Sequence, residues 1–167
     1  MRKIYVIGCG RSGTSFATQY FKDLGVDLPH EKEGMDGSVN WRITPKVRRD
    51  KDFIIHLVRN PYNAIPSMQT IMSASWKYMQ KYISIPAELN YQGRCLNYWV
   101  KWNQLAEKSA HIRLRVEDLG TSTINSRKKD KKYKQIDWDY LRSTYKDLFN
   151  LMVTMAKKYG YKAKYAK

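Results

Sequence analysis

An apolar segment, Ile4-Tyr5-Val6-Ile7, runs directly into Gly8-Cys9-Gly10-Arg11-Ser12-Gly13-Thr14-Ser15 and then into a helical pattern; no other junction constrains the fold as much. Glycines at 8, 10 and 13 open backbone conformations closed to residues with a Cβ, so successive N–H groups can turn inward around an anion. The helix that follows aims unpaired amides and the positive end of its dipole at the same point. Thr14 and Ser15 add hydroxyl donors, and Arg11 adds a fixed charge whose forked donors suit phosphate oxygens. The layout is that of a phosphate cradle. A plain glycine-rich turn between strand and helix would need neither the arginine nor three glycines.

The spacing G-x-x-x-x-G followed by two hydroxyl residues matches a P-loop except at one place: Thr14 stands where a nucleotide hydrolase needs its phosphate-binding lysine. That exception points away from ATP hydrolysis. The rest of the chain favours an anionic partner as well, since 31 Lys plus Arg against 15 Asp plus Glu leave a formal charge of +16. Charge alone does not choose among a nucleotide, a sulfated or phosphorylated substrate, a nucleic acid and a membrane surface. Part of it sits in Ser126-Arg127-Lys128-Lys129-Asp130-Lys131-Lys132, most simply a solvated basic loop within a flexible insertion over 120–134.

The 167 residues suit one ordinary domain, 1–167. Cys9 and Cys95 make no disulfide framework and have no metal-ligand neighbours at the usual spacings, so no metal is expected and a reducing compartment fits best. Met1-Arg2-Lys3 leads straight into the first strand, unlike a signal peptide, and no apolar stretch approaches the roughly 20 residues that span a bilayer. The expected setting is the cytoplasm, with no membrane span.

Helical spacing predicts a helix over 14–24, with Phe16, Tyr20, Phe21 and Leu24 on one face and Gly25 as its stop. Val26-Asp27-Leu28 is a candidate second strand, and 29–41 reads as an active-site loop without regular structure. The run Phe53-Ile54-Ile55-His56-Leu57-Val58 is the most convincing buried strand, its continuous apolar character being what a parallel strand covered on both faces requires. A helix is expected over 61–82 with a kink or restart at Pro66, another over 88–108, a last strand over 111–116 and a closing helix over 136–159. Alternation of this kind predicts an α/β fold: a three-layer, P-loop-like arrangement of a small, mainly parallel β-sheet flanked by helices.

At the end of the strongest strand, Arg59 precedes Asn60, a good helix cap, and Pro61, a good first helical residue. Arg59 thus lies at the carboxyl end of a strand, where ligands sit in open α/β sheets, and Ser67 follows two turns later. Its bland reading is an arginine paired with a carboxylate beside a well-capped helix. Taken together, Arg11-Ser12-Gly13-Thr14-Ser15 and Arg59-x-Pro61 with Ser67 resemble the sulfotransferases that use 3′-phosphoadenosine 5′-phosphosulfate (PAPS). Val116-Glu117-Asp118-Leu119 is similar to a stretch common in that family, with valine in place of an aromatic residue. The resemblance implies that Arg11, Ser12, Gly13, Thr14 and Ser15 bind the 5′-phosphosulfate, that Arg59 and Ser67 bind the 3′-phosphate, and that PAPS is the co-substrate. Asn60 and Asn63 depart from the pattern, since many members carry acidic residues there, and the chain is shorter than typical members.

Sulfuryl transfer to a hydroxyl or amine also needs a base near the first loop. In the family it comes from the segment after the first helix, which here holds His30, Glu31 and Glu33. Glu31 or His30 is the preferred base, with the other orienting it, and Glu33 is third; the bland alternative is a charged surface loop. Arg11 would stabilise charge during transfer. The acceptor would be a small molecule or a glycan, an anionic carbohydrate suiting the basic surface. Three other readings remain open: a P-loop nucleotide or small-molecule kinase, disfavoured by Thr14; a basic nucleic-acid-binding module, against which the aromatic residues fall mainly at helical positions suited to core packing; and a nucleotide-binding relative without catalysis.

Overall fold

A computed structural model describes residues 2–120 and 133–162. Residues 121–132, the bulk of the expected basic insertion, lie outside the described residues. The chain divides into two compact units, Met1–Arg59 with Gln104–Lys132, and Asn60–Asn103 with Tyr133–Lys167.

The first unit is built on a four-stranded, all-parallel sheet in the order β2-β1-β3-β4, with β1 at Ile4–Ile7, β2 at Gly37–Val39, β3 at Phe53–Val58 and β4 at Ile112–Arg115. Side chains alternate across the central strands, so each strand feeds two cores. On one face Val6, Val39, Ile55 and Leu57 pack with Ala17 and Phe21 of the helix α1 (Thr14–Asp23) and with Leu28 and Leu119. On the other, Tyr5, Ile7 and Ile54 meet Ile43 and Val47 of the β2–β3 connection and Ala106, from the last turns of the helix Tyr91–Ser109. The expected α/β fold with a parallel sheet flanked by helices is therefore observed.

The details correct several expectations. Val26-Asp27-Leu28 is not a strand; β2 lies within the segment read as an irregular loop. Three residues, Gly-Ser-Val, are too few to show either alternation or a β-branched run, and the strand is defined by its pairing to β1, Ile4 with Gly37 and Val6 with Val39. Leu24 does not join the buried face of α1: it is 60% exposed, while Thr14, Ala17 and Phe21 are buried. The last strand ends at Arg115, and Val116–Asp118 forms a 3-10 turn.

The second unit is helical: α2 (Pro61–Met68), α3 (Ser73–Met79), the greater part of α4 (Tyr91–Ser109), α5 (Trp138–Thr144) and α6 (Lys146–Lys158). Pro66 is accommodated inside α2, and the helical run breaks over residues 69–72 before α3 begins. The closing helix expected over 136–159 is two helices, because Tyr145 leaves helical geometry at φ −119, ψ 49. Its ring lies where a Cβ on Gly93 would be, 2.6 Å away, and its hydroxyl accepts from the Asn90 N–H. Leu96, Trp99, Val100 and Trp102 of α4 are fully buried, and Trp102 meets the rings of Tyr78, Tyr82 and Tyr98. Of the aromatic residues at helical spacing, Tyr98, Trp99 and Trp102 are core, whereas Tyr82 is 39% exposed.

Among the described residues, no helix is long and apolar enough to cross a membrane.

Candidate functional site

The strand order of the first unit has a consequence for where a ligand would bind. From β1 the chain moves outward to β2 on one side, and from β3 to β4 on the other. The switch point therefore lies between β1 and β3, and open α/β sheets bind ligands in the crevice at the carboxyl ends of such a pair. The glycine loop leaves β1 at this point, and Arg59 comes directly after β3.

The loop is shaped by close approach as much as by flexibility. A Cβ on Gly8 would lie 2.2 Å from the carbonyl oxygen of Leu57 in β3, so only glycine lets the loop leave β1 beside its neighbour. Ser12 N–H bonds back to the Cys9 carbonyl at 3.2 Å, and Ser12 Oγ, fully buried, is 2.8 Å from Cys9 Sγ. Gly13 caps α1 in the left-handed region at φ 84, and a Cβ there would fall 2.5 Å from the Val116 side chain. Arg11 also has positive φ, 73, a conformation that a residue with a side chain adopts rarely. Arg59 Nη1 donates to the Arg11 carbonyl at 3.1 Å, tying the end of β3 to the crest of the loop.

The electrostatics favour an anion. The first turn of α1 contains no acidic residue and Gly13 supplies no side-chain cap, so the helix start keeps the donor character of its opening amides. Ser15 is exposed in that first turn, and Thr14 is 7% exposed with its Oγ1 2.9 Å from His30 Nε2. Arg11, Ser12, Gly13, Thr14, Ser15, Arg59 and His30 thus belong to one unit, and hydrogen bonds link Arg59 with Arg11 and Thr14 with His30.

Of the remaining expected site residues, Glu31 and Glu33 are each hydrogen-bonded to other partners, and Ser67 belongs to the second unit. Glu31, at φ 55, accepts the Trp41 indole N–H on Oε1 at 2.8 Å, and its own N–H bonds to the Val39 carbonyl. Glu33 Oε1 accepts from Lys3 Nζ at 2.8 Å and from Tyr5 OH at 2.9 Å, at the amino-terminal side of β1 rather than at the loop. Burial alone would push the Glu33 carboxyl up, but the hydrogen bonds from Lys3 and Tyr5 outweigh it and hold the group below its ordinary value. Burial, then Glu33, pushes the Tyr5 hydroxyl up to about 12. Ser67 lies on α2 in the second unit, 1% exposed, and its Oγ donates to the Ala64 carbonyl at 2.6 Å. Of the Val116–Leu119 stretch, Val116 meets Gly13, Leu119 is buried and Asp118 pairs with Arg115, whose hydrogen bond holds the carboxyl below its ordinary value.

Thr44 is a supporting residue that sequence reasoning missed. It is 1% exposed, its Oγ1 donates to the Trp41 carbonyl at 2.7 Å and reaches the Gly8 carbonyl at 3.4 Å, so it joins the turn after β2 to the start of the loop. The available signal was Asn40, whose side chain caps the 3-10 turn Trp41–Ile43 through the Arg42 N–H.

Among the described residues, no three His, Cys, Asp or Glu side chains cluster as metal ligands would. Compared with known proteins, the chain matches no family model, no curated protein and no solved structure.

Proposed function

We propose that this protein is a sulfotransferase that moves a sulfuryl group from PAPS to a hydroxyl or amine acceptor, with an anionic carbohydrate the acceptor class that the basic surface suits. The observation that carries the reading is the pair of junctions at the switch point: a lysine-free glycine loop after β1 and an arginine after β3, joined by the bond from Arg59 Nη1 to the Arg11 carbonyl. Such a pair supports a grip on a nucleotide phosphorylated at both 5′ and 3′ positions, the 5′ group in the loop and the 3′ group on Arg59. The donor set fits the co-substrate: Gly8 and Gly13 have no room for a Cβ, and no carboxylate occurs in the loop or in the first turn of α1. Cys9 and Cys95 are buried and not disulfide-bonded, which suits the reducing cytoplasm.

Transfer forms a bond from the acceptor oxygen or nitrogen to sulfur and breaks the bond from sulfur to the 5′-phosphate oxygen. The electron pair of the broken bond leaves on the phosphate, as 3′-phosphoadenosine 5′-phosphate, and the acceptor proton passes to a base. Catalysis of this kind is positioning plus stabilisation of charge, supplied here by loop amides, hydroxyls and Arg11. His30 is favoured as the base because it bonds to Thr14 of the loop, whereas Glu31 is engaged by Trp41 and Glu33 by Lys3 and Tyr5.

Thermal stabilisation by 3′-phosphoadenosine 5′-phosphate, compared with ADP, ATP plus magnesium and a short oligonucleotide, tests the reading. At about 100 times the dissociation constant a ligand adds about 2.7 kcal/mol. Preference for the 3′-phosphorylated nucleotide is expected. An equal response to ADP overturns the assignment, a response to ATP plus magnesium alone points to a kinase, and one to the oligonucleotide alone to a nucleic-acid-binding module.

A further inference from the structure

Thr14 has a single hydroxyl proton, and two claims fall on it. Its Oγ1 lies 2.9 Å from His30 Nε2, and the same residue opens α1 at the mouth of the glycine loop, 7% exposed. A fully ionised oxyanion offers only acceptors, so a hydroxyl that binds it must donate. Thr14 then has only lone pairs to offer His30, and a bond across that distance survives only if Nε2 carries a proton and donates it to Oγ1. Neutral imidazole has one N–H, so the lone pair is left on Nδ1. The backbone keeps His30 in place for this pairing: it bridges to Val39, and the next N–H, that of Glu31, bonds to the Val39 carbonyl at 3.0 Å.

We propose that an oxyanion in the loop fixes His30 as its Nε2–H tautomer, and that Thr14 is the positioning residue that makes Nδ1 the atom that takes the acceptor proton. The tautomer step needs only an anion in the loop; the role of Nδ1 rests on the sulfotransferase reading. In transfer, Nδ1 takes the proton of the acceptor O–H, and the electron pair of that bond becomes the new oxygen–sulfur bond. The pair of the old bond leaves with the 5′-phosphate, and the imidazolium keeps its Nε2–H bond to Thr14 throughout.

Nitrogen-15 NMR of the full chain labelled at its three histidines reads the tautomer directly, with His30→Asn assigning the His30 signals. His111 is an internal reference, because its Nδ1 accepts the Ile54 N–H at 3.0 Å and is held as the Nε2–H form with or without ligand. The probes are pyrophosphate and 3′-phosphoadenosine 5′-phosphate, with binding followed independently by calorimetry. On saturation, neutral His30 is expected to show a protonated Nε2 and a bare Nδ1. The bias should be lost in Thr14→Val and regained in Thr14→Ser, and turnover should fall at least about tenfold in Thr14→Val, mainly in kcat, with most of it restored by serine.

An anion-bound His30 with a bare Nε2, or a Thr14→Val protein that keeps the full bias, overturns the proposal. If the nucleotide binds without fixing the tautomer, this inference falls and the sulfotransferase reading stands. If pyrophosphate fixes it while the nucleotide does not bind, the tautomer step stands and the sulfotransferase reading falls, taking with it the role of Nδ1. Binding of neither overturns both.

Discussion

Replacing Gly13 by alanine separates two physical effects that the loop combines. Gly13 sits at φ 84, and a residue with a Cβ in the left-handed region costs about 1–2 kcal/mol, partly offset by about 0.4–1 kcal/mol because alanine restricts the unfolded chain. The new Cβ would also lie 2.5 Å from Val116 Cγ2, so Val116 must move or change rotamer, an overpacking effect of about 1–2 kcal/mol. Gly25 is the comparison within the same unit: its φ is 77, yet a Cβ there meets nothing within 4 Å. Gly25→Ala should therefore lower stability by about 1 kcal/mol and Gly13→Ala by about 2–3 kcal/mol. Urea unfolding measures both as midpoint shifts at constant slope. Placing Gly13→Ala in a Val116→Ala background should close most of the gap, as a coupling of about 1 kcal/mol in the double-mutant cycle. Equal losses at positions 13 and 25, or a coupling of zero, would refute the loop geometry and its packing on Val116.

In the second unit, Trp102→Ala should destabilise by about 3–5 kcal/mol in the same assay, since the ring is fully buried among Tyr78, Tyr82 and Tyr98. Glu33, whose carboxyl is held below its ordinary 4.5, adds stability that is present above that value and lost as pH falls through the lowered one. Half-exposed and salt-bridged to Lys3, it contributes under about 1 kcal/mol, so Glu33→Gln should flatten the acid side of the stability curve slightly and leave pH 7 turnover unchanged. Steady-state turnover should fall about 100-fold or more in His30→Ala. It should change far less in Glu31→Gln, and the reverse order would move the base to Glu31.

The parts of the fold visible in the sequence are those whose signal is local. Six residues in a row, all apolar but His56, announce β3, and an apolar tetrad ending in a glycine-spaced loop announces β1 and the start of α1. β2 is hidden because Gly37-Ser38-Val39 has no periodicity of its own and exists through its register with Ile4, Tyr5 and Val6. The break at Tyr145 is hidden for a related reason: neither glycine nor proline marks it, and its ring is met by Gly93, more than fifty residues away. The same limit applies to the site. Arg11, Thr14 and Arg59 are legible because each sits at a strand–helix junction, where position follows from chemistry nearby. Choosing among His30, Glu31 and Glu33 requires knowing which bonds each makes, and the partners Thr14, Trp41, Lys3 and Tyr5 lie 10 to 30 residues distant.

The proposed grip of Arg59 on a 3′-phosphate is tested most directly by calorimetric dissociation constants for 3′-phosphoadenosine 5′-phosphate and adenosine 5′-phosphate, measured on the wild-type protein and on Arg59→Ala. A hydrogen bond between charged groups is worth about 1.5–3 kcal/mol, so the 3′-phosphate should tighten wild-type binding by about 10- to 150-fold, and Arg59→Ala should erase most of that preference while weakening adenosine 5′-phosphate less, through the lost bond to the Arg11 carbonyl. Equal affinity of the two nucleotides for the wild-type protein, or a preference that survives in Arg59→Ala, would contradict the account.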